Sequence, residues 1–247
     1  MRSRVSKPDA KSLPPTPQGD GPPRIFVLTA YGDAYTTCLN NALQRAGHEV
    51  IRAPWSGKWL LKSMRSVDLA VLHWPSYLYH DTKSRVRTAL GLLRMSIVLA
   101  LLRLRGVRII WIAHNLYPHD GGKSLLSHRL GRWVVTRLAW RIGVHSRYAS
   151  NVVQSEFSVP ANKIVLIEHG NWIGYYRDDI ARSDARQRLG IPADTYLYLF
   201  IGLCRPYKNL ESLVESMGRN KDDSKLWIVG KFPSTEYFEE INGHLLE

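Results

Sequence analysis

Cysteine is nearly missing from this 247-residue chain, which has only Cys38 and Cys204. Two are too few for a disulfide framework or a zinc cluster, and they leave a reducing compartment as the default reading. Long apolar runs are missing as well. In the most apolar segment the uncharged stretch from Met95 to Leu102 falls far short of the ~20 residues that cross a bilayer. The opening residues, "MRSRVSKPDAKSLPPTPQGDGPP", are basic and proline-rich and contain no apolar leader region. Residues 1–23 therefore read as a disordered tail, with too little apolar surface to offset the entropy of ordering.

Acidic residues are scarce in one part of the chain. Residues 52–145 carry 16 basic and 3 acidic side chains, a net of +13, whereas residues 146–247 carry 12 and 14. A positive field confined to one half points to an anionic partner, such as a phosphate, a nucleic acid or a membrane surface. The arginines lie on helix-like segments with no nucleic-acid motif beside them, which argues against nucleic acid. His114 and His119 have Pro118 between them and no evident third ligand, so no metal site is expected.

What the chain does contain is apolar material, 45% of its residues, enough to bury a core. Short β-branched runs alternate with helix-like segments. "IFVLTA", "EVIRAP", "VDLAVLHWP", "VRIIWIAH", "IGVHS" and "KIVLIEHG" read as strands. "TTCLNNALQRAG" reads as a helix with Thr36 as cap and Leu39, Leu43 and Ala46 on one face. Residues 83–105 form one long helix-like segment, with Val86, Leu90, Leu93, Ile97, Leu101 and Leu104 at three- and four-residue steps. That stripe is expected to face the core, with a face resting on lipid through Arg87, Arg94, Arg103 and Arg105 as the competing reading. In "KSLLSHRLGRWVVTRLAWRIG", read as an amphipathic helix, Leu126, Leu130, Val134, Leu138 and Ile142 form one stripe and Arg129, Arg132, Arg137 and Arg141 the other. "RYASNVVQSEF" is a further helix, and after a polar connector the strand–helix alternation restarts.

The alternation predicts an α/β fold with a parallel sheet covered on both faces. Ligands of such sheets sit at the carboxyl ends of the strands. Residues 31–35, His73, His114, His145 and His169 all fall at those ends, as a lined cleft or as ordinary loop polarity. Trp74 beside His73 reads equally as a path-lining or a buried structural residue. In the restarted half, "GLCRPYKNLESLV" places Arg205 and Lys208 between a strand and a helix start. Unpaired amides and a positive dipole end already favour an anion there. A guanidinium fork and an ammonium turn it into a candidate diphosphate site, against the alternative of two solvated turn residues.

"FIGLCRPYKNLESLVESM" resembles the diphosphate-binding segment that opens the C-terminal domain of GT-B-fold glycosyltransferases. "VLHWP", "WIAHNLYPHD" and "IEHGNW" resemble N-terminal-domain segments of bacterial members that build exopolysaccharides and lipid-linked oligosaccharides. The resemblance covers residues 24–247 and implies two Rossmann-like domains, an acceptor domain at 24–175 and a partial nucleotide-sugar domain at 176–247. It implies that Arg205, Lys208 and Gly202 hold the donor diphosphate and that His114 faces the donor sugar. His114 also reads as a strand-end capping residue. Asp120 or Asp33 would be the base of an inverting reaction, and a retaining one needs none. His119 shares the loop of His114, and Tyr31, Gly32, Asp33, His73, Trp74, His169 and Gly170 border the cleft or the acceptor path.

The expected activity is hexose transfer from a UDP- or GDP-linked sugar to a lipid-linked or polysaccharide acceptor. No cofactor is expected, and the site is cytoplasmic, peripheral on an anionic inner membrane face. Members of the family continue past the point corresponding to Glu247, with glutamates that hold the donor's ribose and sugar; Glu239, Glu240 and Glu247 do not sit in that context. The expectation is a truncated chain, and the alternative function is an inactive module that only binds acceptor or membrane.

Overall fold

The computed structural model describes residues 22–28, 34–52, 67–118, 126–219 and 223–244. The chain divides into two compact units, 1–170 and 171–247. The expected tail, the turn of Tyr31, Gly32 and Asp33, and the loop residues His119 and Asp120 lie outside the described residues.

The first unit is built on six parallel strands: β1 (Arg24–Leu28), β2 (Glu49–Arg52), β3 (Leu69–His73), β4 (Arg108–Ile112), β5 (Arg141–Val144) and β6 (Ile164–Leu166). Their order is β2-β1-β3-β4-β5-β6. β1 pairs with β2 on one side and β3 on the other, so the chain reverses its direction of travel across the sheet at β1. The strands are apolar on both faces because both are covered. Phe26, Leu28, Ala70, Leu72, Ile109, Trp111, Ile142 and Val144 build the larger core on one face. Ile25, Val27, Val71 and Ile112 alternate onto the other.

Helices α1 (Ala34–Arg45), α2 (Arg85–Leu104), α3 (Leu126–Leu138) and α4 (Arg147–Phe157) connect the strands. Ser84 caps α2 by accepting from the Arg87 amide, and Ser146 caps α4 by accepting from the Ala149 amide. Each satisfies one of the amides that a helix start leaves unpaired. Among the described residues no helix is long and apolar enough to cross a membrane.

The expected helix faces hold in part: Leu43 of α1, Leu101 of α2 and Val134 and Leu138 of α3 pack against the core, while the rest of the α2 and α3 stripes looks outward. α1 begins at Ala34 rather than after Thr36, and it buries Thr36 and Asn40. α2 turns Thr88, Met95, Val98, Leu99 and Leu102 inward. The expected core residues Val86, Leu90, Leu93, Ile97 and Leu104 are 50% to 81% exposed. α3 buries His128, Gly131, Arg132, Val135 and Thr136 and leaves Leu126, Leu130 and Trp133 outside.

The reason is Tyr79, which follows a short 3-10 turn after β3 and wedges between α2 and α3. A methyl group on Gly91 would lie 2.6 Å from the Tyr79 carbonyl oxygen, and one on Gly131 would lie 2.7 Å from its ring. Only the glycine-bearing faces can approach it. The polar groups carried inward find partners for some of their atoms, while Asn40 Oδ1, His128 Nε2 and Arg132 Nη1 stay without one. His128 Nδ1 and the Tyr79 hydroxyl lie 2.9 Å apart, and Arg132 Nε donates to the Leu116 carbonyl at 2.6 Å. The Arg132 guanidinium also lies over the Trp111 ring at 5.4 Å.

This arrangement predicts acid sensitivity. Burial, then the neighbouring His80 and Arg132, lower the His128 pKa from 6.5 to about 4. His128 is neutral in the folded protein, whereas the unfolded chain takes up its proton near pH 6.5. Its stabilising contribution is full above that value and is lost as pH falls toward 4, by up to about 3 kcal/mol. Denaturant midpoints measured across this range should drop in the parent chain and show a flatter slope in His128→Gln.

The second unit carries α5 (Arg182–Arg188), β7 (Leu197–Leu203), α6 (Leu210–Gly218), β8 (Lys225–Lys231) and α7 (Thr235–His244). Its described sheet is the parallel pair β7–β8. Cys204, Leu210, Val214, Tyr237 and Ile241 form its core.

Candidate functional site

The reversal at β1 places a crevice at the carboxyl ends of β1 and β3, the usual ligand position in such sheets. Four histidines arrive there from successive strands. His73 ends β3, His114 follows β4, His145 follows β5, and His169 follows β6. Tyr35, in the first turn of α1, joins them. Its ring lies 5.8 Å from that of His73, 4.7 Å from His114, 5.8 Å from His145 and 5.3 Å from His169.

The group is graded from inside to outside. His73 is buried, Tyr35, Trp74, His114 and His145 are half-buried, and His169 is exposed. Trp74 stacks on His114 with centroids 4.5 Å apart and planes 20° from parallel. Its backbone holds φ 41°, a left-handed value that costs a non-glycine residue about 1–2 kcal/mol. The stacked position is therefore held by the surrounding structure against a local preference.

Hydrogen bonds set the ring tautomers. A carbonyl oxygen only accepts, so His145 Nδ1 carries the proton it donates to the Ile167 carbonyl at 2.9 Å. His169 Nδ1 likewise donates to the Gly170 carbonyl at 2.8 Å. In their neutral forms, both rings keep a lone pair on Nε2. His73 Nδ1 lies 2.9 Å from His114 Nε2, so one of them donates and the other accepts. If His73 donates, a neutral His114 carries its proton on Nδ1 and offers a donor there. If His114 donates, its Nδ1 is a base. His73 thus couples the state of His114 to the interior of the unit.

Of the residues expected to border a cleft, the structure brings together His73, Trp74, His114, His169 and Gly170. Tyr35 and His145 stood only among the strand-end polar residues in the sequence and belong to the same constellation. Their signal was position: each follows a strand as the other members do. Among the described residues no His, Cys, Asp and Glu side chains gather with the geometry of a metal site.

Arg205, Lys208 and Gly202 lie in the second unit. Arg205 and Lys208 do not flank a regular helix start as expected. A 3-10 turn, Pro206–Lys208, intervenes, and α6 begins at Leu210 after Asn209 at φ 56°. The Lys208 amide donates to the Arg205 carbonyl at 2.8 Å and the Asn209 amide to the Pro206 carbonyl at 2.9 Å. The amides of Lys208 and Asn209 are thus already paired within the turn. Arg205, the extended cap of that turn, and Lys208, its last residue, stand at its two ends. Lys208 Nζ rests 5.3 Å over the Tyr207 ring. Gly202 has φ 149° and pairs with Gly230, where an added methyl group would meet the Gly202 carbonyl oxygen at 1.8 Å. That close approach fixes how β7 and β8 end.

No family model matches the chain. It is 31% identical, over 223 residues, to a GDP-mannose:glycolipid 4-beta-D-mannosyltransferase of Xanthomonas campestris pv. campestris. The match covers 87% of this chain and 56% of that protein, so the chain spans about half the length of the curated relative. Among solved structures it resembles Anabaena HepE in complex with UDP and glucose, with a TM-score of 0.62 at 15% identity over 91% of this chain and 66% of that one. It also resembles Staphylococcus aureus MnaA with UDP, with a TM-score of 0.53 at 15% identity and the same coverages.

Proposed function

We propose that this GT-B-fold chain, related in sequence to a bacterial glycolipid glycosyltransferase, takes part in moving a hexose from a nucleotide sugar to a lipid-linked or polysaccharide acceptor. One observation carries the reading: a stacked Trp74–His114 pair, backed by buried His73, at the strand ends where the sheet order reverses. The mannosyltransferase is named for GDP-mannose, and the HepE and MnaA structures contain UDP. The donor assigned to this chain is accordingly a GDP- or UDP-linked hexose.

In the transfer, the bond from the anomeric carbon to the diphosphate oxygen breaks as an acceptor hydroxyl bonds to that carbon. Charge grows on the departing diphosphate. Arg205 and Lys208 are assigned to meet that charge, a task otherwise suited to a divalent cation, so the scheme uses neither metal nor cofactor. His114 is assigned to the donor sugar, with its tautomer coupled to that of His73. The acceptor's proton goes to a carboxylate, Asp120 or Asp33, if the anomeric centre inverts. A lipid-linked acceptor places the reaction on an anionic membrane face, on its cytoplasmic side, in exopolysaccharide or lipid-linked oligosaccharide assembly. Nucleic acid has no part in it.

The test supplies radiolabelled GDP-mannose and UDP-glucose with a bacterial lipid extract, alongside calorimetric titration of GDP and UDP. Label entering the organic phase and saturable binding of one nucleotide are expected. Absence of both would end the proposal.

A further inference from the structure

Helices α2 and α3 carry a feature that the site does not use. Val86, Leu90, Leu93, Ile97 and Leu104 recur at helical spacing and are 50% to 81% exposed. They lie opposite the inward face of Thr88, Met95, Leu99 and Leu102. α2 is thus apolar on two opposite sides, whereas a surface helix has one apolar stripe. On α3, Leu126, Leu130 and Trp133 are exposed in the same manner. α2 and α3 pack side by side through Tyr79 and continue the chain in one direction across the sheet, so they cover the same sheet face. The two stripes therefore look away from that sheet on one side of the unit. Leu126, Leu130 and Trp133 also line a groove of about 640 Å³ between α3 and α4, with Arg129, Arg137 and Glu156 in its walls, the last accepting from the Tyr117 hydroxyl.

Charge identifies what this surface fits. α2 contains the exposed Arg85, Arg87, Arg94 and Arg103, α3 the exposed Arg129 and Arg137 besides the buried Arg132, and neither contains an acidic residue. By helical spacing, Arg87 and Arg94 fall on one flank of the α2 stripe and Arg85 and Arg103 on the other. Arg87 also lies 3.7 Å from Asp81, just before the helix. An apolar stripe between two arginine flanks matches a layer of acyl chains beneath anionic headgroups, into which long cationic side chains reach while their stems stay apolar. A second copy would bring arginine-only helices against each other. A nucleic acid would leave the stripe in water.

We infer that the outward face of α2 and α3 docks on an anionic lipid bilayer, with α2 lying along the surface over about 30 Å. The inference rests on the proposed function for its setting. Its test measures binding alone, so a failure here leaves sugar transfer standing and a failure of transfer leaves this surface standing.

The chain is sedimented with phosphatidylcholine vesicles, with and without phosphatidylglycerol. Binding is expected only to the mixed vesicles and should weaken with salt. Neutralising Arg85, Arg103 and Arg129 with glutamine should lower partitioning about fivefold for each arginine near the surface. Exchanging Leu90, Leu93 and Ile97 for glutamine should abolish it. Both variants alter exposed side chains only, and unchanged circular dichroism and thermal unfolding confirm that they fold. Equal binding to neutral vesicles, no binding, or variants that bind like the parent would each overturn the inference. So would concentration-dependent self-association that the leucine and isoleucine changes remove.

Discussion

Turnover by His114→Ala is expected to fall about 100- to 1,000-fold with little change in KM for the donor. The argument starts from what holds the ring. Trp74 covers one face at 4.5 Å, the Tyr35 edge meets it at 4.7 Å, and His73 fixes Nε2 at 2.9 Å. A ring held on three sides pays little reorganisation when charge shifts at the reacting sugar. Such a preorganised group acts mainly on the transition state, so its removal appears in kcat rather than in KM. His73→Leu tests the coupling separately. His73 is buried and acts through His114, so its loss should displace the pH profile of kcat, which a merely structural change would leave in place. A kcat for His114→Ala within tenfold of the parent, in steady-state assays with saturating donor, would remove the ring from the chemistry.

The sheet was legible in the sequence because parallel strands are covered on both sides. The β-branched runs ending at His73, Ile112 and Val144 could hardly be read otherwise. Strand ends were legible for the same reason, and with them His73, His114 and His169. The helix faces were legible only in part, at Leu101, Val134 and Leu138, which pack on the core. Periodicity shows that α2 has a stripe at Val86, Leu90, Leu93 and Ile97, but not which way that stripe looks. The deciding contact is Tyr79 between Gly91 and Gly131, distant in sequence and visible only after folding. Burying Arg132 and His128 also defies composition. The Leu116 carbonyl and the Tyr79 hydroxyl meet one nitrogen of each, while His128 Nε2 and Arg132 Nη1 are buried without a hydrogen-bond partner.

The same inversion explains the charge asymmetry. A core-facing leucine stripe on α2 would have left its arginines as an ordinary solvated face. With the stripe turned outward, the positive half of the chain and its exposed apolar surface coincide on α2 and α3. Tyr35 and His145 were under-read for a different reason. A single aromatic in a helix start and a single strand-end histidine say little until the topology brings the ends of β1, β3, β4, β5 and β6 to one edge.

Replacing Arg205 and Lys208 together by alanine should weaken binding of GDP or UDP by about 100-fold or more. Each charge-assisted hydrogen bond to a phosphate oxygen contributes about 1.5–3 kcal/mol, and 1.4 kcal/mol is a factor of about ten in affinity. The pair stands at the two ends of one short turn, tied by the bond from the Lys208 amide to the Arg205 carbonyl. The unit's core should be untouched, because Cys204, Leu210 and Val214 pack on the other side of the backbone from these half-buried and exposed residues. Thermal unfolding of the double variant should therefore match the parent in the absence of nucleotide. The loss should also scale with phosphate charge, large for the diphosphates and small for GMP or UMP, and raised salt should weaken the parent more than the variant. Arg205→Lys should fall between them, since it keeps the charge and gives up the planar fork. Diphosphate affinities of the parent and double variant that agree within about twofold by calorimetry, equivalent to less than about 0.5 kcal/mol, would show that the turn holds no diphosphate.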